Sequence, residues 1–188
     1  MEMNQEVNSK FEQTNLLQMN SELILKPGVH THYDLECRDK YGNLRWIDSI
    51  DNLVVTAGLN KLLDACFKTG LAAPTWYIGL VGATNTYAAG DILSNHAGWA
   101  ENAHYTGNRP AFNVSGNAIA AGSLSNSVNK AVFTFAGTAT PDTIKGAFLC
   151  DQAVGNAGVL YGAGDLTAQR TVYDADTLTL QVTLTVTP

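Results

Sequence analysis

Four residues of metal-binding type alternate along one short segment: His30, His32, Asp34 and Glu36 occupy every second position of His30-Thr31-His32-Tyr33-Asp34-Leu35-Glu36. That period puts all four on one face of a strand. Two imidazoles and a carboxylate suit a transition ion, and an H-x-H pair from each of three chains around a three-fold axis would supply imidazole nitrogens from every chain. No third fixed ligand is visible beside the weak candidates His30 and His32. The expected role of the face is therefore the polar, solvent-facing side of an edge strand whose Tyr33, Leu35 and Cys37 turn inward, with no metal and no cofactor bound.

A second group, Asp91, Ser94, His96, Glu101 and His104, holds the ingredients of acid/base or nucleophilic catalysis. Nothing in the spacing places a nucleophile beside its base. There is no G-x-S-x-G elbow, no H-E-x-x-H and no G-x-x-x-x-G-K phosphate loop. Hydrogen bonding within a loop accounts for these residue types, and no catalytic residue is expected. Gly162-Ala163-Gly164-Asp165 reads as a glycine turn between two strands and lacks the helix a dinucleotide cradle needs. Trp46, Trp76, Tyr77 and Trp99 could stack on a sugar, but contact with another protein chain is the better use for such rings.

The elements that must position these groups are mostly strands. Asp176 to Thr187 reads DTLTLQVTLTVT, with Leu178, Leu180, Val182, Leu184 and Val186 on one face and threonines with Gln181 on the other. This is a strand half-buried against a core. Val29 to Cys37 alternates likewise, and Asp39 to Asn43 reads as a turn into Leu44 to Ile47. A further short strand is expected at Asn52 to Val55. Thr56 is then a candidate N-cap for a helix over Ala57 to Lys68, its apolar side made of Leu59, Leu62, Leu63, Cys66 and Phe67, with Gly70 at the stop.

TWYIGLVG, residues 75 to 82, reads as a buried strand, and residues 83 to 110 as a long irregular loop of functional or interface type. Further strands are expected at Ala111 to Val114, Lys130 to Ala136, Thr143 to Cys150, Gly158 to Tyr161 and Leu166 to Tyr173. Many short strands and one short helix predict a mainly β fold, a β-sandwich of jelly-roll-like or Ig-like type. Residues 1 to 25, rich in Asn, Gln and Ser, read as an extended N-terminal arm, and 26 to 188 as one β-sandwich domain.

Composition narrows the partners. Only 15% of the 188 residues are charged, the net charge is -6, and the eleven Lys and Arg are scattered singly, so nucleic acid is not an expected partner. No apolar run approaches the roughly 20 residues of a membrane span, and residues 1 to 20 carry no signal-peptide pattern, so no membrane is expected either. Cys37, Cys66 and Cys150 fit neither a disulfide framework nor a zinc site, and are expected to be buried thiols in a protein made in a reducing cytoplasm.

Taken in order, TWYIGLVG (75 to 82), AAGDILSNHAGWAEN (88 to 102), NRPAF (108 to 112), NKAVFTFAG (129 to 137), IKGAFLCD (144 to 151), GVLYGAGDL (158 to 166) and the closing strand resemble a family of tailed-bacteriophage virion structural proteins, head-associated and decoration- or cement-like. The similarity spans about residues 45 to 188. Trp76, Gly79, Gly90, Asp91, His96, Gly98, Trp99, Arg109, Pro110 and Asp165 fall at the recurring positions. The resemblance implies a virion structural component and carries no catalytic residues to transfer.

On that basis the expected function is a non-enzymatic decoration or cement protein on the outer surface of the capsid. Its expected partners are the major capsid protein and itself, as a homotrimer. A tail or head fibre module that binds a receptor or glycan is the alternative. Expected interface residues are Phe11, Leu16, Leu17 and Met19 of the arm, with Trp76, Tyr77, Asp91, His96, Trp99 and Arg109. The threonine face of the closing strand, which carries no lysine to discourage pairing, is expected to lie against a second protein surface.

Overall fold

A computed structural model describes residues 28–70, 72–82, 86–96, 99–137 and 141–187. Strand β1 (Gly28–Arg38) and strand β2 (Leu44–Val54) form an antiparallel hairpin. Its turn is built by Asp39, whose Oδ1 accepts the N–H groups of Tyr41 (2.8 Å) and Asn43 (2.9 Å). Gly42 there has φ +87°, the left-handed region that glycine enters without penalty. β2 is one strand where the sequence predicts two short ones. It is followed by helix α1 (Thr56–Phe67) and by β3 (Tyr77–Val81), β4 (Glu101–Asn102), β5 (Ser123–Ser125), β6 (Ala131–Thr134), β7 (Asp142–Cys150), β8 (Leu160–Val172) and β9 (Thr177–Thr187).

The nine strands join into one antiparallel sheet in the order β4-β3-β7-β8-β2-β1-β9-β5, with β6 also beside β9. β2 links the two halves. Most of it pairs with β1, but Leu53 and Val54 pair with Ala163 and Gly162 of β8. The sheet folds over at this strand, so that Tyr33, Leu35, Leu178 and Leu180 of one half pack in the same core as Ile78, Leu80, Ile144 and Leu149 of the other. The result is the expected mainly β sandwich with one helix, its two layers drawn from a single sheet.

The β3-β7-β8 half is buried on both faces. A second cluster, with Val81, Trp99, Phe148 and Leu160 among its members, lies on the side away from the main core, beside α1 and the loop that follows β3. This is why Gly146 to Cys150 is continuously buried instead of alternating. It also explains the glycines of Gly162-Ala163-Gly164, which lie inside β8 and not in a turn. A β-carbon at Gly162 would sit 2.6 Å from the Leu53 carbonyl oxygen, and one at Gly164 would sit 2.5 Å from a methyl of Ile50. β2 crosses β8 at a distance only hydrogen side chains permit.

Other expectations change. Ala111 to Val114 makes only an isolated bridge, Tyr77 to Ala111, while β5 is a strand the sequence pattern does not reveal. Helix α1 starts with Thr56 inside it, after an extended Val55 with no side-chain cap. Its packed side is also not the leucine stripe. Gly58 is its buried residue, whereas Leu59, Leu63 and Phe67 are 37%, 55% and 81% exposed and Cys66 is exposed with them. Cys37 and Cys150 are buried as expected, and burial pushes the Cys37 thiol up to about 12.

Candidate interaction surfaces

The residues of the long loop do not converge on a reactive centre. Asp91, 8% exposed, accepts the Ala88 N–H at 2.9 Å and pins the turn that follows Tyr87. The Tyr87 hydroxyl donates to Asp165 at 2.6 Å. Trp99, 4% exposed, lies against Phe148 with ring centroids 5.0 Å apart, and His96 stacks on it at 3.6 Å. His104 turns elsewhere, with its Nδ1 2.6 Å from Asp142. Partial burial would raise the Asp142 carboxyl, but the hydrogen bonds from His104, the Thr143 N–H and Asn102 outweigh it and hold the group below the usual carboxylate range.

Arg109 is the most heavily engaged of the set. Only 6% exposed, it grips Glu101 with two parallel bonds, Nε to Oε1 at 2.7 Å and Nη2 to Oε2 at 2.5 Å, and donates from Nη1 to the Gln152 carbonyl at 2.9 Å. Its guanidinium lies 5.1 Å from the centroid of the Phe148 ring. Asp91, Trp99 and Arg109 are therefore interior residues that hold the loop to the sheet, and in this chain they offer a partner almost no surface. Trp76 and Tyr77 are half-buried, Trp76 edge-on to Tyr161 at 5.2 Å. The rings are distributed through the packing and make no common platform for a sugar. Phe11, Leu16, Leu17 and Met19 lie outside the described residues.

The outer face of the β2-β1-β9 layer is a different kind of surface. Register places His32 between Asp51 of β2 and Thr183 of β9, Asp34 between Ser49 and Gln181, and Glu36 between Ile47 and Thr179. His32 Nδ1 lies 2.7 Å from Asp51 and Nε2 lies 3.3 Å from Asp34, so both ring nitrogens already face carboxylates. The hydrogen bond to Asp51 raises the His32 pKa against the opposing effect of partial burial, and Asp34 adds to the rise. Both nitrogens are thus engaged within the face, and among the described residues no group of three His, Cys, Asp or Glu side chains is placed to hold a metal ion.

Beside this row lies an open groove of about 480 Å³, lined by Asp34, Glu36, Ile47, Ser49, Lys130 and Thr179 among others. Its deeper Asp48 is held by Arg170 at 2.8 Å and by the Thr167 hydroxyl at 3.0 Å. The sequence pattern marks Asp34 and Glu36 but gives no sign that Lys130 and Thr179 join them, because their meeting depends on β9 pairing with β1 on one side and with β6, which follows Lys130, on the other. β9 has β1 on one side and β5 and β6 on the other. It is not an edge strand, so its lack of lysines needs no covering surface to explain it.

Asp91, Glu101, His104 and Arg109 are thus engaged in internal hydrogen bonds, and Trp99 in packing. The chain belongs to the family described as podophage GP4 fiber I protein gp80, whose pattern it matches over residues 54–187. That membership makes it a phage virion structural protein, as the sequence resemblance implies, with its place in the virion. No curated protein matches the chain significantly. The match begins at Val54, the last residue of β2, so the β1-β2 hairpin that runs along β9 precedes the matched region.

Proposed function

We propose that the chain is a non-enzymatic building domain of a virion fibre, assembling with copies of itself and with neighbouring virion proteins. The observation that carries this is the family match, which covers everything from the end of β2 through β9 and bears the name of a fibre protein. The geometry agrees. The polar groups that could have been catalytic are used to hold loop to sheet, while the outer β2-β1-β9 face, with its groove, offers surface to partners.

Capsid decoration is the second reading, favoured by the net charge of -6, which keeps a protein from competing for the genome and suits an outward position on the head. Labelled antibody against the native protein, applied to intact particles with copy number measured by quantitative mass spectrometry, separates the two. A fibre gives label at discrete appendages and a low count, roughly three to eighteen copies, set by closed rotational symmetry. Label over the whole head with hundreds of copies would overturn the fibre reading and favour decoration.

A further inference from the structure

Helix α1 turns its leucines away from the protein. Leu59, Leu63 and Phe67 stand four residues apart on one side, with Cys66 beside them, while Gly58 on the other side is pressed against β8. None of the described residues covers this stripe. An apolar stripe of this kind, rising to 81% exposure at Phe67, marks a place where something binds.

We propose that the stripe is the docking site of the chain's own residues 16–25. The connection sets this up. Thr31 faces Asn52 in the β1-β2 hairpin, so Gly28 and Val55, each three residues beyond that pair, lie at the same end of it. Val55 immediately precedes α1, and the chain therefore enters Gly28 at the end of the hairpin from which the helix departs. Leu25 is three residues before Gly28, a reach of about 10 Å. A helix of twelve residues is about 18 Å long, and the ten residues 16–25 can run its length even if partly contracted.

The chemistry fits as well. Leu16, Leu17, Met19, Leu23, Ile24 and Leu25 supply apolar contacts, and Glu22 is the segment's one charged residue. Tethering at Gly28 holds the segment at an effective concentration on the order of millimolar, far above that of a separate molecule. This favours the chain's own segment over that of a second copy.

Cys66 reports on the arrangement, since it sits on the stripe while Cys37 and Cys150 are buried. The rate of its reaction with a thiol reagent is compared in the native full chain and in a variant lacking residues 1–25. Docking predicts a rate at least tenfold faster in the variant, with one thiol reacting and the same slow rate in the full chain at every protein concentration. Three reacting thiols would show that the variant has unfolded, and the full-length Leu63→Glu variant then decides. Its Glu22–Leu23 bond is expected to be cut by a glutamate-specific protease at least tenfold faster than in the parent. Equal thiol rates, unchanged cleavage in Leu63→Glu, or protection of Cys66 that grows with protein concentration would each overturn the proposal.

Discussion

Gly58 of the helix meets the backbone of Tyr161 in β8 so closely that a β-carbon on Gly58 would lie 2.4 Å from the Tyr161 carbonyl oxygen and 2.6 Å from its Cα. The obstructing atoms belong to the main chain of a buried strand and cannot swing aside. Two effects oppose each other in a Gly58→Ala variant. Alanine favours the helix by about 1 kcal/mol, while forcing atoms into a packed contact costs about 1–3 kcal/mol. With backbone as the obstacle the second wins, and Gly58→Ala is expected to destabilise the protein by up to about 2 kcal/mol in urea denaturation. A more stable variant would mean that the helix is free to shift on the sheet.

The Arg109–Glu101 pair makes a second prediction. Removing the guanidinium leaves a carboxylate that is 26% exposed without its cation and strips a donor from the Gln152 carbonyl. Breaking a fully buried pair costs about 3–5 kcal/mol, and Glu101 can recover some hydration, so Arg109→Met is expected to cost about 2–4 kcal/mol. The Arg109→Met/Glu101→Leu double variant should be less destabilised than the sum of the two single changes. Strict additivity in the denaturation cycle would show that the two side chains act independently.

Asn126 completes β9 with a side chain where a strand is missing. β5 pairs with Thr183 to Thr185 and β6 with Thr177 to Leu180. In the interval, Asn126 Oδ1 accepts the Val182 N–H at 2.7 Å and its Nδ2 donates to the Leu180 carbonyl at 3.4 Å. Asn126→Ala orphans a buried N–H, a loss of about 1–3 kcal/mol. Hydrogen exchange at Val182 should accelerate more than at Leu178, which lies within the β6 pairing. Equal acceleration at both would mean that the amide is not the local support of the ladder.

What could be read in advance follows from where each cause resides. β9 and β1 are legible because period-two alternation is a local property, and both are covered on one face. β8 reads as two strands because Gly162 and Gly164 look like a turn, and only the passage of β2 across them shows why a strand interior needs glycine. The helix is legible as a helix, but its orientation is not. Its five apolar side chains advertise a buried face, whereas the contact with β8 is made by Gly58, a small residue that hydropathy overlooks. Arg109 and Asp91 look like surface residues by type, and only the carboxylate and main-chain partners brought by the fold make their burial tolerable. The outer His32 row was visible as a row. Its partner Asp51 lies on the next strand, and no spacing along the chain announces that pairing.

That pairing gives the molecule a predictable response to pH. His32 has its pKa raised by the hydrogen bond to Asp51 and by Asp34, with partial burial acting in the opposite direction. A histidine whose folded pKa exceeds its unfolded one, about 6.5, contributes its full stabilisation below the unfolded value and loses it as the pH rises through the folded value. The stability difference between the native protein and His32→Asn should therefore be larger at pH 5.5 than at pH 8.5. The side chains involved are open to solvent, which keeps the effect below about 1 kcal/mol and lets salt reduce it further. Urea denaturation of both proteins at the two pH values, with hydrogen exchange followed in β1 and β2, measures it directly. A difference that does not change with pH, or that grows toward pH 8.5, would show that the carboxylates do not hold His32 as an imidazolium in the hairpin.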